Sequence, residues 1–162
     1  MTTIYLDVDG VLLRHSQVSR SGFELSPHAE EFLAHLVGCH RVRWLTTRCR
    51  AGMPNDIARA FRHAMQVASL PPRLAELITL VEPAEWNACK TEGIALTDDF
   101  YWIDDNPTPE ALQVLAAHGC QDRWIEARVD QDPDDVLSVS QVLEQRISAV
   151  ERHRHRTKSM NP

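Results

Sequence analysis

Two aspartates two residues apart, Asp7 and Asp9, follow directly on the apolar run Thr3–Leu6 and precede Gly10. In a pleated backbone residues i and i+2 project to the same side, so both carboxylates would face one way while Val8 points into the core. Carboxylates at that spacing can bind a hard divalent cation through oxygen, or divide the labour of nucleophile and proton carrier. Gly10 would let the chain turn and let a phosphate approach the backbone closely. The same four residues also describe a plain acidic turn after a strand. Other polar groups in similar positions therefore matter. They are Thr46, Thr47 and Arg48 after the expected strand 42–45, the isolated Lys90, and Asp104, Asp105 and Asn106 after the apolar residues 100–103.

Those groups need strands to carry them. Thr3–Leu6 is expected to be a buried first strand, rich in β-branched and aromatic residues. Ser26 and Pro27 form an N-cap and first-turn pair for a helix whose apolar positions Ala29, Phe32, Leu33, Leu36 and Val37 repeat at helical spacing and which Gly38 would close. Residues 42–45 read as a second strand, followed by a loop through Thr46–Arg48 and residues 52–55, and then by a helical face of Ile57, Phe61, Ala64 and Met65. Pro71, Pro72 and Pro83 punctuate the next stretch, where 74–80 fits no element firmly and 78–81 is the expected third strand. Residues 100–103 are a clear strand, and Thr108 with Pro109 starts a helix that runs through Leu112, Leu115 and Ala116 to Gly119. A last strand over 123–129 and a helix over 133–150, striped by Val136, Val139, Leu143, Ile147 and Val150, complete the chain.

Regular alternation of strand and helix implies an α/β fold, because parallel neighbours need a crossover and the crossover is usually a helix. The expectation is a Rossmann-like three-layer α/β/α sandwich with a mostly parallel central sheet and no large cap domain. In such sheets ligands bind beyond the carboxyl ends of the strands, so the three polar clusters that follow strands would collect at one edge. Residues 1–150 are expected to form one domain, with 151–162 a flexible basic tail.

The run Ile4-Tyr5-Leu6-Asp7-Val8-Asp9-Gly10-Val11-Leu12 resembles the first motif of the haloacid dehalogenase superfamily. Residues 42–46, ending in Thr46, resemble the second motif, Lys90 the third, and Tyr101-Trp102-Ile103-Asp104-Asp105 the fourth. All four occur in the family's order, across most of the chain from Thr3 to Val129, although Arg43 interrupts the apolar strand of the second. The resemblance implies a magnesium-dependent phosphatase with Asp7 as nucleophile and Asp9 as proton donor and acceptor. Gly10, Thr46, Thr47 and Lys90 would bind the phosphoryl group. Mg2+ would be held by Asp7, the backbone carbonyl of Asp9, and Asp104 with Asp105, either of which can be the direct ligand. The acid at position 9 favours phosphate chemistry over dehalogenation, since a halide leaves without a proton. Arg14, His15 and Arg48 are weaker candidates for holding the rest of the substrate. The four motifs also look like a small bacterial group of capless members with relatives in RNA-repair proteins. The expected substrate is thus a phosphorylated small molecule or the phosphorylated end of a polymer, nucleic acid included.

Composition narrows the classes further. The 162 residues carry a formal charge of −6, which argues against wrapping nucleic acid on a broad basic surface. The exception is the stretch from Glu151 onward, where Arg152, Arg154, Arg156 and Lys158 face a single acid, giving +3 there and −9 in the remainder. Four scattered cysteines lack the close pairing of zinc or redox motifs and read as reduced thiols. Trp44, Trp86, Trp102 and Trp124 are expected to pack in the core or at its rim, with base stacking as the alternative. Asp7 and Asp9 break the first apolar run where a secretory signal would be continuous, and no run reaches membrane-spanning length, so a cytoplasmic protein is expected.

Overall fold

Strand β1 (Thr3–Leu6) lies at the centre of a five-stranded parallel sheet in a computed structural model that describes residues 1–52 and 55–158, with 50–52, 55 and 153–158 described by backbone alone. Its neighbours are β4 (Arg41–Trp44) on one side and β6 (Phe100–Asp104) on the other. β5 (Glu82–Pro83) and β7 (Trp124–Glu126) form the edges, giving the order β5-β4-β1-β6-β7. The chain thus winds outward from β1 to β5, returns to the middle, and winds outward again through β6 and β7. That reversal places a topological switch between β1 and β6, where a crevice opens beyond the strand ends.

Alternation along β1 explains why the sheet is covered on both faces. Ile4 and Leu6 pack into one fully buried cluster with Phe32 and Leu33 of α1 (Ala29–Cys39), Phe61 of α2 (Asn55–Met65), Leu77 of α3 (Pro72–Leu80) and Val139 and Leu143 of α5 (Asp135–Lys158). Tyr5 points the other way, with Phe100 and Trp102, onto Ala111 and Leu115 of α4 (Pro109–Ala117). Burial leaves the Tyr5 hydroxyl needing a partner, and the Ala95 backbone N–H donates to it at 3.0 Å. The three-layer α/β/α arrangement is as expected. Between β1 and α1 the chain inserts only an antiparallel hairpin, β2 (Leu13–His15) with β3 (Phe23–Leu25), and no cap domain.

Several boundaries differ from expectation for physical reasons. Helix α1 does not start on Ser26. The Ser26 N–H is drawn to the Leu12 carbonyl at 2.9 Å, and His28 takes a left-handed φ of 61°, so the cap falls at His28. Gly38 lies inside the helix, which ends one residue later at Cys39. The strand expected at 78–81 is instead the end of α3, which Pro72 starts from its first turn while Leu74, Leu77 and Ile78 supply a buried helical face. Pro71 and Pro72 mark a helix beginning rather than a loop. Thr108 caps α4 as expected, its Oγ1 accepting from the Ala111 N–H. The last strand is cut to three residues because the Arg128 N–H turns to Asp135 Oδ2 at 2.6 Å. Thr47–Gly52 forms a 3-10 turn where a loop was expected, and residues 53 and 54 of that loop lie outside the described residues. Helix α5 continues to Lys158, through most of the basic stretch, and residues 159–162 lie outside the described residues. Among the described residues no helix is long and apolar enough to cross a membrane.

Candidate active site

Asp7 follows the last residue of β1, and Asp104 is the last residue of β6, so the pairing of these two strands brings their carboxylates to the same rim. The Asp7 N–H donates to the Ile103 carbonyl at 3.0 Å, which extends the ladder to the turn that follows β1. Beyond it the chain folds tightly: the N–H groups of Leu12 and Leu13 both donate to the Val8 carbonyl at 2.9 Å, and the Gly10 N–H to the Leu13 carbonyl at 2.7 Å. This turn requires φ of +71° at residue 10, a conformation glycine adopts without cost.

Lys90 enters from the short 3-10 turn Lys90–Gly93 and sets its ammonium between the two strand ends. Nζ donates to Asp7 Oδ2 at 2.5 Å and to Asp104 Oδ2 at 2.6 Å. Asp7 and Asp104 are buried and Asp105 half-buried, and the three offer carboxylate oxygens within 4.8 Å of one another. Three acids crowded against one ammonium leave an excess of negative charge, and the donor set is the all-oxygen kind that suits a hard divalent cation. These three aspartates can hold a metal ion.

The remaining bonds fix the carboxylates. Asp7 Oδ1 accepts from the Val8 N–H at 2.7 Å. Asp104 Oδ2 accepts from Trp102 Nε1 at 3.1 Å, and its Oδ1 from the Asn106 N–H at 3.0 Å. Trp124 Nε1 donates to the Asp104 carbonyl at 3.0 Å. Two tryptophans expected to pack in the core or at its rim thus also hold Asp104 through their indole N–H groups. Their indole N–H groups, set on strands at or next to Asp104, were the available signal.

Electrostatics follow from this burial. Desolvation and the nearby Asp104 carboxylate raise the Asp7 pKa to about 6, against the pull of Lys90. Burial alone would lower the Lys90 pKa, but Asp7 and Asp104 outweigh it and the net shift is upward. Asp105 is raised, chiefly by burial and next by Asp7. Asp105 packs against Gly10 so closely that a side chain there would overlap its carboxyl group.

A cleft of about 340 Å3 opens over the triad, with Asp7, Lys90 and Asp105 at its floor and Thr47, Trp86 and Pro107 among its walls. That is the lower end of volumes typical for small-molecule sites. Thr46 is fully buried, two residues beyond β4, with Oγ1 accepting from the Arg48 N–H at 3.3 Å; its neighbour Thr47 is the one on the cleft wall.

The other named residues are placed around this floor rather than on it. Asp9 stands outside the triad, gripped by Arg48: Nε lies 2.9 and 2.8 Å from its two oxygens and Nη2 2.6 Å from Oδ1. Arg14 is paired with Glu24 across the hairpin at 2.5 Å. His15 is bound to Asp130 through both Nδ1 and its backbone N–H, at 2.5 and 2.7 Å. Arg14, His15 and Arg48 are not among the cleft walls.

The sequence matches no protein-family model, and a search of curated proteins finds no match either.

Proposed function

We propose that this protein is a magnesium-dependent phosphatase of the haloacid dehalogenase type, hydrolysing a phosphomonoester through an aspartyl-phosphate. The observation that carries the reading is the Lys90 ammonium lying between Asp7 and Asp104 at the ends of adjacent parallel strands, under an open cleft. Four polar segments far apart in sequence meet where the fold class places its ligands, in the order and positions of the family's motifs.

Each residue then has a task. An oxygen of Asp7 attacks phosphorus and forms a P–O bond as the ester P–O bond breaks. The leaving oxygen takes a proton from Asp9. Asp9 then removes a proton from water, which attacks the phosphoaspartate and releases phosphate and free Asp7. Lys90 offsets repulsion between the Asp7 carboxylate and the incoming phosphate, as phosphoryl transfer demands. The Thr46 hydroxyl accepts from the Arg48 N–H and keeps its own proton for a phosphoryl oxygen, and Thr47 and the Gly10 turn would bind the other phosphoryl oxygens. Asp7, Asp104 and Asp105, with the Asp9 carbonyl, would hold Mg2+. When bound, the ion supplies positive charge that neutralises the phosphoryl oxygens.

Because no cap encloses the cleft, the site suits substrates that bring their own bulk, such as a phosphorylated polymer end, alongside small phosphomonoesters. An end-processing role on nucleic acid is the second reading, favoured by the basic residues late in α5. The direct test is magnesium-dependent hydrolysis of an aryl phosphate, expected to fall by at least about a thousandfold in Asp7→Asn with the fold unchanged by circular dichroism. Comparable turnover in that variant would remove Asp7 as nucleophile. Parallel rates on mononucleotides, phosphorylated oligonucleotides and sugar phosphates separate the substrate classes.

A further inference from the structure

We infer that Arg48 is a positioning residue for Asp9, fixing where the proton donor stands rather than binding substrate. This rests on the proposed phosphatase reading, in which Asp9 handles the leaving-group proton. Arg48 presents the edge formed by Nε and Nη2 to both oxygens of Asp9, at 2.6 to 2.9 Å, so its planar fork fixes the orientation of the carboxylate as well as its charge. The guanidinium is itself fixed. It lies over the Phe23 ring of β3 at 5.0 Å, and its backbone N–H is tied to Thr46 Oγ1. Asp9 is thereby joined to two elements at once, the hairpin and the turn that carries Thr46. Both side chains of the pair are about three-quarters buried, so solvent competes weakly for the contact.

The geometry also separates Arg48 from the substrate. It is absent from the cleft walls, and the Nε–Nη2 edge of its guanidinium is turned onto Asp9. An arginine placed this way acts on the reaction through the acid.

That role has a signature of its own. Proton donation accelerates departure of a strongly basic alkoxide by about 100- to 10,000-fold and does little for a weakly basic phenolate. Loss of Arg48 should therefore depend on the leaving group. The experiment measures kcat/KM, which reports formation of the phosphoaspartate, for an alkyl phosphate and for 2,4-dinitrophenyl phosphate. It uses the full chain and the Arg48→Ala, Asp9→Asn and doubly substituted proteins. The expected result is a loss of at least tenfold on the alkyl ester in Arg48→Ala, a severalfold smaller loss on the dinitrophenyl ester, and no further loss when Arg48→Ala is added to Asp9→Asn. Equal losses on both esters, a rise in KM with kcat unchanged, or additive losses in the double variant would each overturn the assignment of Arg48 while leaving the phosphatase reading intact. Absence of turnover of either ester by the unsubstituted protein would overturn both.

Discussion

Gly10 and Asp105 touch where the turn after β1 meets the end of β6: the space a Cβ would fill at Gly10 is already taken by the Asp105 carboxyl group. The first and last polar segments of the site therefore fit together only because residue 10 has no side chain. Its φ of +71° makes the same demand on the backbone.

Gly10→Ala is accordingly expected to strike the metal site more than the fold. The left-handed backbone costs about 1–2 kcal/mol, a fall in Tm of several degrees. The Asp105 carboxylate, being a movable side chain, gives way. Calorimetric titration should show Mg2+ affinity lowered by about tenfold or more, the range seen when groups supporting a ligand are disturbed. Unchanged affinity would mean that Asp105 takes no part in holding the ion.

Asp7 carries a cost that pH reveals. Its pKa is lifted to about 6 from 3.8 by burial and by Asp104. Between those values the folded protein keeps a proton that the unfolded chain has released. The stability contributed by the protonated group is present at low pH and lost as pH rises through 6, so the metal-free protein pays on the order of a few kcal/mol above it. Asp7→Asn removes the charge and should flatten this slope. Thermal unfolding in EDTA from pH 5 to 8 is expected to show the variant at least as stable as the parent at pH 8, despite the lost partner of Lys90. A steeper slope in the variant would contradict the assignment of the buried charge.

How far the sequence foretold this site depends on what kind of signal each part carries. The strands leading to Asp7, Thr46 and Asp104 were legible because their runs are short, mostly apolar with Arg43 the exception, and ended by polar residues, as parallel strands covered on both faces tend to be. Lys90 was found only through its resemblance to a motif, since it lies on a 3-10 turn with no periodicity of its own. The hairpin β2/β3 was hidden. Its six residues are half-polar, and its pairing sets Arg14 opposite Glu24, a contact that no local pattern announces. The link from Arg48 to Asp9 spans 39 residues and follows only from β1 and β4 being neighbours, which makes it a product of topology. Helix α3 was missed because residues 74–80, set between prolines, looked too short for an element, although Leu74, Leu77 and Ile78 carry its buried face.

Trp102 offers a test of how a core residue serves the site. Fully buried, it packs against α4 and also donates to Asp104 Oδ2. Trp102→Phe keeps an aromatic ring but deletes the N–H and part of the volume. Core loss should cost about 1–3 kcal/mol, and the freed Asp104 should change Mg2+ affinity by about tenfold. Asp104→Asn and Asp105→Asn measured beside it show which acid is the direct ligand, since that one is expected to lose metal-dependent stabilisation altogether. If Trp102→Phe shifts Tm but not affinity, the indole serves packing alone.

Lys90 separates charge balance from catalysis. Its ammonium neutralises part of a three-carboxylate cluster, so Lys90→Met leaves Asp7, Asp104 and Asp105 facing one another without compensation. Without metal the variant should unfold several degrees lower at pH 8, and recover towards pH 5 as carboxylates take up protons. A divalent cation meets a more negative site and should bind more tightly and restore stability, by the mass-action gain that any ligand of the folded state confers. Turnover should nevertheless stay at least about a hundredfold down, because in the proposed reaction that ammonium offsets the repulsion between a phosphate dianion and Asp7. Tighter Mg2+ binding together with lost activity is the pairing to seek by titration and steady-state rates. Weaker binding would mean that Lys90 organises the carboxylates rather than balancing them, and wild-type activity would remove it from the chemistry.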